Sequence, residues 1–259
     1  MQPGWRPASP MAVPPSPPVP VLPAATVVVL RDGPVGPEVL LLRRREGGSF
    51  GGLWVFPGGR VEAVDEPADE RVGIEEEFAE LAAARRAAVR EAAEEAGLTL
   101  REAALEVHSH WMPPEDVPRR YSTWFFVTEV DWTASVTVDR AEVLDHRWVS
   151  PEAGLIERDA GTLPLAPPTW MTLWQLRGFP RAEDAVAEAR RRSPWRFVTR
   201  LERVPEGFVF LWEGDAAYAD GDLERPGRRR RLVAPATGPW RAEVDLTPIG
   251  HPTVSGQER

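Results

Sequence analysis

Apolar positions along the chain switch between two spacings, and each switch marks an element. Thr26 to Leu30 is a β-branched run and Glu38 to Arg43 a second apolar run, separated by the turn residues Asp32-Gly33-Pro34 and Gly36-Pro37. Two strands joined by a loop are predicted. A glycine-rich stretch (Gly47, Gly48, Gly51, Gly52) then leads to Leu53-Trp54-Val55-Phe56, and Pro57-Gly58-Gly59 breaks the chain. Beyond an acidic connection the period becomes helical: Phe78, Leu81, Ala82, Val89, Ala92, Ala93 and Ala96 recur at spacings of three, four and seven, and Gly97 supplies the stop. Leu105 to Trp111, Tyr121 to Val130 and His146 to Val149 read as strands, and Pro167 to Leu176 and Arg181 to Arg192 as helices. Toward the C-terminus, Phe197 to Leu201, Phe208 to Trp212 and Arg231 to Ala234 read as strands before a polar tail. Strands mixed with one strong central helix and later helices predict an α/β (α+β) fold.

Nine prolines fall between Pro3 and Pro23, so residues 1–24 are expected to form a disordered or polyproline-like arm, with order beginning at Ala25. Prolines interrupt its Val and Leu content, which argues against a signal peptide or a membrane span. The 259 residues contain no cysteine, which excludes disulfide scaffolds, thiolate metal sites and cysteine nucleophiles and fits a cytoplasmic location. The formal charge is −9, and all 31 basic residues are arginine. Lysine chemistry is therefore excluded, and arginine is the one cationic side chain able to hold phosphates. Acidity counts against bulk nucleic-acid binding. The charge is also concentrated: Glu62 to Glu95 holds 12 acids against four arginines, and the remainder is close to neutral.

The most informative run lies inside that acidic stretch, at Arg90-Glu91-Ala92-Ala93-Glu94-Glu95-Ala96-Gly97-Leu98. On a helix Glu91, Glu94 and Glu95 stand at i, i+3 and i+4, sharing one face while Ala92, Ala93 and Ala96 turn to the core. Like charges so close repel unless a cation sits among them. Arg90 is one partner and a divalent metal the better one; oxygen ligands with no His or Cys nearby point to Mg²⁺ or Mn²⁺. Three glutamates alone are ordinarily a solvated helix face.

The surrounding residues favour the chemical reading. Arg90 to Leu98 resembles the second half of the Nudix hydrolase signature, G-x5-E-x7-R-E-U-x-E-E-x-G-U, and Phe56-Pro57-Gly58-Gly59 resembles the strand end and turn that open it. The first half departs from the pattern. Gly59 and Arg90 are 31 positions apart where the signature has 14, so about 17 residues are inserted, at about 62–80. Ala82 stands eight before Arg90 in place of the first glutamate, and Asp65 or Glu80 could take over that acid's pairing with the arginine. The insertion, the run from Val39 through Arg43-Arg44-Arg45 to Gly59, and His110-Trp111 followed by Pro118 to Phe126 resemble the branch of coenzyme A and acyl-CoA diphosphatases. Gly48 stands where that branch would have a second arginine.

The resemblance implies a Nudix-type α/β/α sandwich with a mixed sheet over residues 25–180, leaving 181–259 as a helical and β extension packed on the core. It implies metal-dependent cleavage of a phosphoric anhydride in a small nucleotide-type substrate, with coenzyme A or its esters as first guess. ADP-ribose, dinucleotides, damaged nucleotides, or a non-catalytic binding module are the alternatives. A homodimer is compatible with such a chain, and no nucleic-acid or membrane partner is expected. Glu91, Glu94, Glu95 and the Gly59 carbonyl would hold the metal, with Glu91 also a possible base and Arg90 orienting a glutamate. Glu142 and Asp145 are candidates for a further acid. Arg43, Arg119 and Arg120 are candidates for phosphate binding and Trp111 for base stacking. His108, His110, His146 and His251 form no metal-ligand spacing, and Arg228 to Arg231 reads as a solvated strand end.

Overall fold

A computed structural model describes residues 20–47, 50–66, 76–115 and 117–245. The polyproline reading of residues 1–19 and the central part of the insertion, 67–75, lie outside them. The elements in chain order are β1 (Val21–Asp32), β2 (Pro37–Arg44), β3 (Trp54–Val55), β4 (Gly58–Arg60), α1 (Glu76–Ala96), β5 (Glu106–Met112), β6 (Arg120–Glu129), β7 (Val143–Val149), α2 (Pro151–Asp159), α3 (Pro167–Leu176), α4 (Ala182–Arg191), β8 (Trp195–Val204), β9 (Gly207–Trp212), β10 (Arg230–Pro235) and β11 (Arg241–Val244).

The strands form one mixed sheet in the order β11-β10-β9-β8-β5-β6-β1-β2-β3, with β4 also on β1 and β7 on β2. The β1–β6 and β5–β8 pairs are parallel and the rest antiparallel. Val27 to Leu30 of β1 is a continuous, fully buried apolar run because both of its faces are covered. Ala25, Val27 and Val29 point to α1, together with Leu40, Leu42, Trp124 and Phe126. Val28 and Leu30 point to the opposite layer of α3 and α4, with Leu41, Phe125, Trp170 and Leu173. This is the expected α/β/α sandwich.

α1 approaches the sheet through small residues: Ala84, Ala87, Ala88, Ala92 and Ala96 are fully buried. Gly97, at φ 66°, ends it by letting the Leu98 N–H turn back to the Ala92 carbonyl at 3.1 Å. The helix starts at Glu76, so the last part of the insertion is its first turn. Two positions depart from the predicted apolar face: Ala93 is exposed, and Phe78 is exposed by 62 %. Both belong to the helical spacing but lie off the stripe that meets the sheet.

Other boundaries also move. β1 begins at Val21, before the expected Ala25, because Val21–Ala24 pair with Arg120–Thr123 of β6. α2 and β11 were not foreseen. The described part of the extension, residues 181–245, continues the main sheet: β8 pairs with β5, and α4 packs on β5 and β6. Arg230 and Arg231, expected to be solvated, are buried against Asp215 in this part of the sheet. No helix among the described residues is long and apolar enough to cross a membrane.

Candidate active site

The bend at Phe56-Pro57 between β3 and β4 brings Gly58 and Gly59, the first residues of β4 and hereafter the glycine turn, against β1, where Gly59 pairs with Ala25. Nothing larger fits there. A Cβ on Gly58 would collide with the Ala25 carbonyl and Thr26, and one on Gly59 would overlap the Glu91 carboxylate. The C-terminal half of α1 lies over this turn and delivers its acids to it. Glu95 Oε2 accepts from the Gly58 N–H at 2.9 Å. Glu91 and Glu95 are largely buried, whereas Glu94 stands at the rim with its side chain 57 % exposed.

Two arginines are interleaved with these carboxylates. Arg44, at the end of β2, places Nη1 2.5 Å from Glu95 Oε1 and Nη2 3.1 Å from Glu142 Oε2. Arg90 is held more firmly. Its Nε and Nη2 donate to both oxygens of Asp65, at 3.1 and 2.9 Å, and Nη2 also donates to the Arg60 carbonyl. Its Nη1 reaches Glu91 and Glu94, each at 2.9 Å. The bond to Asp65 raises the Arg90 pKa further, so this charge is permanent.

Burial dominates the two inner glutamates, Glu91 and Glu95. It pushes Glu95 up to about 7, against the opposing pull of the Gly58 N–H and Arg44. It also raises Glu91, against the opposing charge and hydrogen bond of Arg90. Carboxylates in this state still gain from a further cation. All donors are oxygens, which suits a hard divalent ion. Among the described residues no three acidic or histidine side chains converge on a common point; the glutamates turn instead to the two arginines and the glycine turn. The chemistry of the donor set therefore fits the expected metal, with arginine as the present counterion.

The family model for the NUDIX domain matches residues 21–167, more than half of the chain. The chain belongs to the Nudix hydrolase family. Hydrolases of this family generally use divalent metals. Among relatives, "Putative 8-oxo-dGTP diphosphatase 3" of Mycobacterium tuberculosis is 30 % identical over 209 residues, which cover 78 % of this chain and 82 % of the relative. Among solved structures, a NUDIX hydrolase from Alicyclobacillus acidocaldarius is 25 % identical with a TM-score of 0.55, covering 65 % of this chain and 96 % of that one. An Ap4A hydrolase from C. elegans is 20 % identical with a TM-score of 0.42, covering 65 % of this chain and 98 % of that one.

Within this Nudix domain the open choice of acid resolves geometrically. Asp65 pairs with the signature arginine and is 3 % exposed, and its Oδ2 also accepts from the Glu62 N–H at 2.9 Å. Glu80 instead accepts from Trp124 Nε1 at 3.1 Å. The spacing of Asp65 from Gly59 was the available signal. Asp65→Asn is therefore expected to lower kcat by roughly tenfold or more, since it weakens an ion pair that orients two glutamates, whereas Glu80→Gln stays within about threefold. Steady-state kinetics of both variants checks this, and equal effects would remove the distinction.

The other predicted site residues divide. Glu142 joins the cluster through Arg44. Asp145 is exposed and accepts from the His146 N–H, away from it. Arg43 is exposed, is paired through its backbone with Trp54 and Asp145, and faces the side of the sheet away from α1; among the described residues its side chain makes no hydrogen bond or ion pair. Arg120 sits opposite Val21 on β6, displaced along β1 by four residues, about 13 Å at ~3.3 Å per residue, from the Ala25–Gly59 pair. Arg119 is exposed next to it. Trp111 does not offer a face to a base: it is 6 % exposed, its ring stacks on Phe197 at 4.0 Å, and Trp212 meets it edge-on. Trp111 belongs to the core because the extension covers this part of β5. His110 bonds Ser122 Oγ at 2.7 Å and stacks on Trp124, while His108 is buried between Gln175 and Arg192. The role of Arg44 was the main omission, since three consecutive arginines gave no sign of which one turns to the glutamates.

Proposed function

We propose that this Nudix enzyme is a Mg²⁺- or Mn²⁺-dependent diphosphatase that cleaves a phosphoric anhydride in a nucleoside-diphosphate-linked substrate. The observation that carries the reading is the packing of Glu91 and Glu95 against Gly58 and Gly59 at the start of β4, with Glu94 at the rim and arginines among them. Glu91, Glu94, Glu95 and the Gly59 carbonyl would hold the ion, which when bound supplies Lewis acidity and lowers the pKa of a water. Glu91 accepts the proton of the attacking water. Arg90, fixed by Asp65, keeps Glu91 and Glu94 in place. Arg43, cross-strand from Trp54 on the sheet face away from α1, is not placed at the scissile group, and Arg119 and Arg120 lie too far along the sheet to act on it.

Two substrate readings have separate support. The mycobacterial relative, matched over most of its length, favours an oxidised purine nucleoside triphosphate. The run from Val39 to Gly59 and the insertion after it favour coenzyme A or an acyl-CoA. Incubating the protein and Mg²⁺ separately with 8-oxo-dGTP, dGTP, coenzyme A, ADP-ribose and Ap4A, with chromatographic separation of products, tests both. Selective turnover of 8-oxo-dGTP supports the first reading and release of 3′,5′-ADP from coenzyme A the second. Cleavage of no diphosphate in the panel, or equal cleavage by Glu95→Gln, would overturn the proposal.

A further inference from the structure

The two arginines at the glutamate cluster are anchored differently, and the difference has a functional consequence. Arg90 is tied by two hydrogen bonds to Asp65, a buried acid outside the set assigned to the metal, and by a third to the Arg60 carbonyl. It keeps these partners whatever happens at Glu91 and Glu94. Arg44 has no such anchor. Its two bonds go to Glu95, within the set, and to Glu142, whose side chain is 62 % exposed. Its own side chain is 26 % exposed, so a route to solvent is open. A cation entering beside Glu95 meets a guanidinium already 2.5 Å from Oε1, and two positive charges cannot share one carboxylate at that range without strong repulsion.

We propose that Arg44 is a displaceable internal counterion: in the metal-free enzyme its guanidinium neutralises Glu95 and Glu142, and metal binding proceeds by exchanging this charge for the divalent ion. The inference rests on the reading of Glu91, Glu94 and Glu95 as the cation site. It assigns Arg44 a cost to metal affinity and a benefit to the stability of the metal-free protein, and it assigns Arg90 neither.

The test is Mn²⁺ binding to the full chain without nucleotide, followed by the electron paramagnetic resonance signal of free Mn²⁺. Arg44→Gln is expected to tighten Kd by at least about tenfold, as removal of a contacting positive charge requires. Arg44→Lys keeps the charge but cannot bridge both acids; it is expected to fall between wild type and Arg44→Gln, and it serves if Arg44→Gln folds poorly. Arg43→Gln removes the same charge one residue away without touching a glutamate, and is expected to change Kd by less than about threefold. The melting temperature gives a second readout: Arg44→Gln melts below wild type in EDTA, and the gap closes in saturating Mn²⁺. Unchanged or weaker Mn²⁺ binding by Arg44→Gln, an equal effect from Arg43→Gln, or a melting deficit that persists with Mn²⁺ would overturn the exchange. If none of the proteins binds Mn²⁺, the cation reading falls and the exchange falls with it.

Discussion

Replacing Glu95 with glutamine is expected to lower kcat by about 10²–10³-fold, with little loss of thermal stability in the metal-free enzyme. Both halves follow from where the carboxylate sits. Glu95 is 4 % exposed and its Oε2 accepts from the Gly58 N–H, while burial, chiefly, holds its pKa up at about 7 against the pull of that N–H and of Arg44. A glutamine keeps the length and one acceptor for the Gly58 N–H, and it removes a charge that the fold holds at a cost. It cannot hold a divalent ion as a carboxylate does. Glu94→Gln is expected to cost less, and to be partly rescued by raised Mg²⁺, because Glu94 stands at the rim, where among the described residues its carboxylate pairs with Arg90 alone. Kinetics at two Mg²⁺ concentrations, set beside melting in EDTA, measures both effects. Activity within about threefold of wild type for Glu95→Gln would remove that residue from the reaction. A large drop in melting temperature would assign it a structural role instead.

The shared face of the three glutamates was legible because spacing alone fixes it. The i, i+3, i+4 placement of Glu91, Glu94 and Glu95 and the stop at Gly97 hold in any helix, whereas the break expected over Pro57-Gly58-Gly59 is confined to Phe56-Pro57, because Gly58 and Gly59 pair with β1 as strand β4. What was illegible depended on partners distant in sequence. Which of Asp65 and Glu80 meets Arg90 is decided by a short 3-10 turn at Ala63–Asp65 folding back on α1. Which of Arg43, Arg44 and Arg45 meets Glu95 is decided by strand alternation, and its phase needed the register with β3 and β7. α2 is a different case. Ser150, whose side chain accepts from the Ala153 N–H, and Pro151 in the first turn are readable start signals that a search for apolar periodicity passed over. Trp111 was assigned to substrate because the parallel pairing of β8 with β5, which buries it, joins residues 86 positions apart.

Asp215→Ala is expected to destabilise the protein by about 3–5 kcal/mol, the largest stability effect predicted for any single substitution here. The carboxylate is buried in the extension and accepts four hydrogen bonds. Two come from Arg231, at 2.8 and 2.5 Å, one from the Arg230 N–H at 2.8 Å and one from the Ala217 N–H at 2.9 Å. Removing it strands a guanidinium that is itself 4 % exposed, with Arg230 buried beside it. Arg230 keeps its bonds to the Glu213 and Arg196 carbonyls and its position over the Phe197 ring, so the penalty centres on Arg231. Replacing both partners with apolar residues, as in Asp215→Leu with Arg231→Met, is expected to recover much of the loss, because neither charge is then left unpaired. Urea denaturation of the two single variants and the double variant measures the coupling. The same experiment bears on whether the extension folds with the Nudix domain. Phe197 and Trp212 of the extension pack on Trp111 of β5 in a shared core, so one cooperative transition is expected, shifted as a whole by Asp215→Ala. An early transition confined to the extension, with hydrolytic activity preserved through it, would show instead that the sheet is continuous in geometry but not in stability.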